Sequence, residues 1–112
     1  MEKTLKEVCV SYHVSRRAIK WYEKAGLLVT GSHTTNGNLL YDIIAQKRIE
    51  RIRLFQNMEF SVKEIGQYID APDEELKSIL ISRLEKLQVK VEFLKETIQK
   101  GYELISLLDE SI

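Results

Sequence analysis

The chain lacks material that several protein classes require. One cysteine, Cys9, in 112 residues excludes an intrachain disulfide framework and makes a cysteine-rich metal site implausible. One proline and five glycines are too few for a linker-rich or all-β chain. No window approaches the ~18 uninterrupted apolar residues of a membrane-spanning helix. The opening run Met1-Glu2-Lys3-Thr4-Leu5-Lys6-Glu7 has no apolar signal core, so export is not expected and the compartment is expected to be the reducing cytoplasm. The length admits one small domain plus an extended element and is too short for a two-lobed α/β enzyme. No paired carboxylates, Ser-His or Cys-His arrangement, or phosphate loop stands at catalytic spacing, so an enzyme is not expected. His13 and His33 are isolated turn residues, neither at metal-ligand spacing with another His or Cys; no metal and no cofactor are expected.

What is present is charge, at 30% of residues, beside 44% hydrophobic residues, the balance of a folded chain rather than a disordered one. Seventeen Lys and Arg match seventeen Asp and Glu, but the zero net charge conceals an asymmetry. Residues 1–60 hold ten basic and six acidic side chains, a net of +4, and residues 61–112 hold seven and eleven, a net of −4. A basic half points toward nucleic acid, although chance clustering on solvated faces gives the same count.

Helix punctuation is clear in the first half. Thr4-Leu5-Lys6-Glu7 forms a capping box, and a short helix runs to about Ser11 with Leu5, Val8 and Cys9 on one face. Tyr12-His13-Val14 turns the chain. Ser15 caps a second helix, Arg16 to Ala25, and Gly26 closes it. Two short helices joined by a tight turn form a helix-turn-helix. Leu27-Leu28-Val29 suits a strand, and Asn36-Gly37-Asn38 ahead of Leu39-Leu40-Tyr41 is a hairpin signal, so a small β-ribbon, a wing, follows. Asp42 caps a third helix with Ile44, Ile49, Ile52, Phe55 and Met58 at spacings of three and four and Arg48 at the stripe's edge. Ser61 to Glu64 is a second capping box, opening a helix that buries Ile65, Tyr68 and Ile69. Pro72 stands where its missing donor is harmless. The organisation expected is a DNA-binding domain over residues 1–70 and a dimerisation helix over 73–112.

From Glu74 to about Asp109 the period changes. Leu80, Leu84, Leu87, Val91, Leu94, Ile98, Gly101, Ile105, Leu108 and Ile112 alternate steps of four and three, a heptad seam with one flaw at Gly101. Gly101 weakens it by roughly 1 kcal/mol relative to Ala. A helix of roughly 35 residues is ~52 Å long, and so long a seam requires a second helix. A second copy of the chain is the expected partner, with Leu80, Leu84, Leu87, Val91, Leu94, Ile98, Ile105 and Leu108 at the interface; a helix folded back on its own domain is the other reading.

The candidate chemistry sits on the second helix. Its opening, Ser15-Arg16-Arg17, presents a cationic first turn, and such a turn can enter a major groove. Arg16 and Arg17 can reach base edges or phosphates, and arginine to guanine is the commonest specific contact. Lys20 lies one turn on, placed for phosphate. Tyr22 offers a hydroxyl to phosphate or, equally, a core aromatic with its hydroxyl at the rim. Trp21 and Leu27 read as core, Cys9 as a small core residue, and Ser15 as a cap that can also face DNA. In the wing, Asn36, Gly37 and Asn38 can offer donors to the sugar-phosphate chain. Arg48, Arg51 and Arg53 flank it on the third helix, as a solvated face or as further phosphate contacts.

The segment Val14-Ser15-Arg16-Arg17-Ala18-Ile19-Lys20-Trp21-Tyr22-Glu23-Lys24-Ala25-Gly26-Leu27-Leu28 resembles the signature of the MerR family of bacterial transcription regulators, Val-Ser, a short variable stretch, Ile-Arg-Tyr-Tyr-Glu, then Gly-Leu-Leu. Lys20 and Trp21 stand for that arginine and first tyrosine. Asn36 to Asp42 is similar to the family's wing, and Phe60-Ser61-Val62-Lys63-Glu64-Ile65 to its Gly-Phe-Ser-Leu-x-Glu-Ile element, with Glu59 in place of the glycine. The wing departs from the family pattern: an aromatic and an arginine are usual where Asn38 and Leu39 stand, and another arginine is usual near Ser32.

The resemblance implies a mainly α fold, a winged helix-turn-helix DNA-binding domain followed by a long C-terminal coiled-coil helix. It implies a homodimer, joined by an antiparallel coiled coil, that binds a pseudo-palindromic promoter in double-stranded DNA, bends and untwists it, and so presents it to RNA polymerase. The sequence names no small-molecule effector, and no cysteine within residues 70–112 supports metal sensing. The alternatives are an excisionase-like architectural protein that bends DNA, or a protein-interaction module with a degenerate wing.

Overall fold

In a computed structural model the chain is described over residues 1–29, 32–33, 37 and 39–110, with residues 32 and 33 described by their backbone alone. It divides into two compact units, Met1–Pro72 and Asp73–Ile112.

The first unit begins with strand β1, Lys3–Thr4, and helix α1, Leu5–Tyr12. The Thr4–Glu7 capping box is formed in both directions, with the Glu7 amide donating to Thr4 and the Thr4 amide donating to Glu7. His13 ends α1 in the left-handed region at φ 52°. Helix α2, Arg16–Lys24, starts at Ser15, whose hydroxyl accepts from the Ala18 amide at 3.0 Å. It stops at Ala25, followed by Gly26 at φ +77°, a conformation that costs glycine little and other residues more.

The expected strand at Leu27-Leu28-Val29 does not form. Leu27 and Leu28 are buried in an irregular segment, their side chains spent on the core of the unit rather than on a pleat. The wing strands lie later: β2, Ser32–His33, pairs antiparallel with β3, Leu39–Tyr41. Gly37 between them has φ +81°; Asn36 and Asn38 lie outside the described residues. The sequence reading had no counterpart for β1, which lies on the other side of β3, in the order β1-β3-β2.

Asp42 caps helix α3, Ile43–Asn57, by accepting from the Ala45 amide at 2.8 Å. Ile49, Ile52 and Phe55 form its buried stripe, whereas Ile44, expected on that stripe, is 77% exposed. The position is filled instead by Gln46, 1% exposed and fully engaged: it accepts from the Tyr12 hydroxyl at 3.0 Å and donates to the Met1 and Tyr41 carbonyls at 2.8 and 2.9 Å. Ser61 and Glu64 form the second capping box, opening α4, Val62–Tyr68. Ile65 and Ile69 are buried and Tyr68 is half-buried. Phe60 packs on Phe55 with ring centroids 5.1 Å apart and meets Tyr68 edge-on at 6.4 Å.

The second unit is one helix, α5, Asp73–Glu110, 38 residues long and so about 57 Å at the standard rise. Asp73, Glu74 and Glu75 in its first turn complement the helix dipole, and it passes through Gly101 without interruption. Among its described residues none is buried. Ile112, the last step of the expected seam, lies outside the described residues.

Candidate nucleic-acid interface

The surface of α2 divides sharply. Ile19 and Tyr22, three residues apart, are fully buried. On the opposite arc Arg16, Arg17, Lys20, Trp21 and Lys24 are all exposed, because steps of three and four along a helix return to one face. A shallow recess in this arc is lined by Ser15, Arg17, Ala18, Lys20, Trp21 and Lys24.

The electrostatics of this helix run against helix stability. The other capped helices carry an acidic group at their start: Glu7 in α1, Asp42 at the cap of α3, Glu64 in α4. Helix α2 has no acidic residue in its first turn and places Arg16 and Arg17 there instead. Cations at the positive end of a helix dipole cost a few tenths of a kcal/mol each. The same cations, beside amides aimed outward, provide a site for an anion such as phosphate.

Trp21 and Arg48 fall elsewhere than the sequence reading placed them, and Tyr22 takes the second of its two readings, the core aromatic. Trp21, assigned to the core, is 48% exposed and stands at the edge of the cationic arc; its spacing of one turn from Arg17 was the signal. Tyr22, a candidate phosphate donor, is fully buried and its hydroxyl donates to Gln56 Oε1 at 2.6 Å. Burial pushes this hydroxyl above the ordinary tyrosine range, while the adjoining Arg53 guanidinium opposes the shift. Arg48, another candidate contact, is committed to the fold. Its Nε donates to the Leu27 carbonyl at 2.8 Å, and its two terminal nitrogens hold the Asp70 carboxylate, one pair at 2.9 Å. It thus ties α3 to Leu27, beyond the end of α2, and to Asp70, beyond the end of α4. That hydrogen bonding holds the Asp70 carboxyl below its usual range, with Arg48 and Arg51 charges adding to the effect.

Behind α2 the Tyr41 hydroxyl donates to Glu23 Oε1 at 3.3 Å. Burial, then the Glu23 carboxylate, pushes the Tyr41 hydroxyl up to about 12. This contact joins the base of the wing to the inner side of α2. Gly37 is exposed and Leu39 half-buried. On α3, Lys47 and Arg51 are exposed and line an open groove with His13, Ile44 and Leu54.

Among the described residues no group of three or more His, Cys, Asp or Glu could hold a metal ion, and no helix is long and apolar enough to cross a membrane.

Comparison with known proteins agrees with this geometry. The chain is similar to the HTH-type transcriptional activator mta of Bacillus subtilis, 30% identical over 99 residues, 88% of this chain and 38% of that protein. It is 31% identical over 78 residues to the nodulation protein NolA of Bradyrhizobium, 70% of this chain and 32% of that protein. The chain spans about a third of the length of these curated relatives. Among solved structures, the N-terminal part of the B. subtilis multidrug transporter activator, MtaN, superposes with a TM-score of 0.69 at 28% identity, covering 92% of this chain and 97% of that one. HiNmlR, a MerR family regulator lacking the sensor domain and bound to promoter DNA, superposes with a TM-score of 0.76 at 20% identity, covering 88% and 80%. Residues 3–72 match the MerR HTH family of regulatory proteins, and the chain belongs to that family.

Proposed function

We propose that the protein is a sequence-specific, DNA-binding transcriptional regulator that acts as a homodimer on a pseudo-palindromic promoter and distorts it. The observation that carries this reading is the exposed arc of α2, where Arg16, Arg17, Lys20 and Lys24 project from one face with no carboxylate in the first turn to neutralise them. Arg16 and Arg17 read base edges or phosphates, Lys20 grips phosphate, Ser15 stands at the capped tip, and the wing around Gly37 lies against the sugar-phosphate chain. Tyr22 and Arg48 serve this surface from behind, by fixing α2 and the segment that follows it.

The dimer rests on α5. Leu84, Val91, Leu94, Ile98, Ile105 and Leu108 are 42% to 59% exposed, and Leu80 and Leu87 half-buried. An apolar seam of this length is covered by the same seam of a second, antiparallel copy. Two copies bring two α2 tips to one duplex, and a two-fold dimer matches two half-sites related by a two-fold axis. RNA polymerase is the partner that a distorted promoter would serve.

Selection of duplexes from a random pool, followed by gel shift at two salt concentrations, tests the function. The expected result is a retained symmetric motif and an affinity that falls steeply with salt. Sequence-blind, salt-insensitive retention contradicts it and favours a protein-interaction module.

A further inference from the structure

We propose that one side of α5, beside the heptad seam, is a docking surface for an acidic amphipathic helix of a partner protein; this rests on the reading of α5 as one half of an antiparallel rod. Between Leu80 and Glu110 the charges of α5 are sorted by flank. Four of its five cations, Arg83, Lys86, Lys90 and Lys100, stand on one line. Phe93, Thr97, Leu104 and Leu107 complete that line, so steps of three and four run from Arg83 to Leu107 without meeting an acid. The six acids, Glu85, Glu92, Glu96, Glu103, Asp109 and Glu110, all fall on the other flank or the back of the helix. The fifth cation, Lys95, lies among them and pairs with Glu92 at 3.4 Å.

Symmetry turns this sorting into two distinct surfaces. In an antiparallel pair the two-fold axis is perpendicular to the rod and carries each flank onto the same side. The rod therefore has one cationic side and one acidic side, where a parallel pair would mix them. On the cationic side Lys86, Lys90 and Lys100 are exposed, and Phe93, Leu104 and Leu107 are 63%, 57% and 62% exposed. The Thr97 hydroxyl donates to the Phe93 carbonyl at 2.9 Å, so covering the stripe strands no hydroxyl.

The chemistry of the stripe selects its occupant. Apolar side chains at helical spacing are covered by the apolar residues of another helix, set three and four apart. The interleaved lysines call for carboxylates beside those residues. A DNA strand would engage the cations and leave Phe93, Leu104 and Leu107 uncovered. A helix lying on a bilayer keeps its lysines on the face opposite its apolar stripe, whereas here both share one stripe.

The probe is a labelled synthetic peptide of about four heptads, with leucine at a and d and glutamate at e and g, titrated with the full chain. Fluorescence anisotropy gives the affinity and sedimentation the stoichiometry. The expected result is one peptide per two chains, since the rod has one such side. Lys86→Glu should weaken the complex about tenfold or more. Phe93→Ala should weaken it about tenfold with the salt dependence unchanged. Lys95→Glu, the same charge reversal on the acidic side, should change it less than about twofold. Each variant should keep its dimer mass and shift the selected duplex like wild type.

An intact dimer that ignores the peptide, or loses it equally with Lys95→Glu, overturns the docking surface and leaves the dimer and the function standing. A peptide that splits the dimer into one-to-one pairs has entered the seam and overturns it too. So does a tighter, Lys86-dependent hold on vesicles of phosphatidylserine and phosphatidylcholine in equal parts, or on a duplex of random sequence. Assembly of the free protein beyond a dimer, lost with Lys86→Glu, assigns the cationic side to the acidic side of another copy and overturns the partner helix. A free protein that sediments as single chains overturns the antiparallel rod, and this surface with it.

Discussion

The Tyr22 hydroxyl donates to Gln56 Oε1 at 2.6 Å, joining residues 34 apart in sequence, and this bond fastens the inner side of α2 to α3. Because Arg53 also faces the hydroxyl, the tyrosine closes a polar contact at the rim of the core. The orientation of the cationic arc on the opposite side of α2 follows from it: with Ile19 and Tyr22 pinned inward, Arg17, Lys20 and Lys24 have only the outward face left.

Tyr22→Phe should therefore cost about 1–2 kcal/mol of unfolding free energy, the lost bond plus an orphaned acceptor, as read by urea denaturation. The folded fraction should bind DNA with a nearly unchanged salt slope. Unchanged stability with lost affinity would instead put the hydroxyl on phosphate.

Gln46 is the other polar group on which the fold depends. Its amide satisfies the Tyr12 hydroxyl and the Met1 and Tyr41 carbonyls at once. Gln46→Leu should destabilise the protein by about 2–4 kcal/mol despite the added hydrophobicity, since buried partners are left without bonds. A denaturation midpoint equal to or above wild type would show that water replaces the amide freely.

The Arg48–Asp70 contact gives an acid dependence whose sign is fixed. The folded carboxyl titrates below its ordinary value of 3.8, so the ionised form stabilises the fold above pH 3.8, and this contribution is lost as the pH falls through the lowered folded value. The stability gap between wild type and Asp70→Asn should be constant near neutrality and close at acid pH. A gap independent of pH into the acid range would remove the ion pair from the account.

The features legible in the sequence were those set by local chemistry. The Thr4–Glu7 and Ser61–Glu64 boxes, the Ser15 and Asp42 caps, and the stop at Gly26 need only neighbouring atoms, and they are where capping rules put them. The family signature is legible for the same reason, being contiguous. What local pattern could not decide was competition for the interior. Leu27 and Leu28 look like a strand but are taken into the core as a loop. Ile44 yields its place to Gln46 because three non-local bonds reward the amide, and Trp21 is displaced outward because Ile19 and Tyr22 already fill the inner side of α2. Strand β1 pairs with β3 across more than thirty residues of chain, a separation beyond any short-range pattern. Arg48 was legible as a cation near the wing; that it holds Leu27 and Asp70 depends on folding.

The wing lacks a cation at Leu39, which is half-buried on β3. Leu39→Arg should tighten DNA binding and steepen the salt slope by about 0.9, the contribution of one added phosphate contact. A looser complex would show that this leucine packs as part of the wing's own support and that the strand does not approach the backbone.

The central claim is that two chains, joined through α5, engage one duplex. Sedimentation equilibrium of the complex with the selected duplex measures this directly. The account requires a protein mass of twice 13.1 kDa per duplex, with Leu94→Glu reducing the free protein to single chains and abolishing the complex. One chain of 13.1 kDa per duplex, bound as tightly as wild type and indifferent to Leu94→Glu, would contradict it.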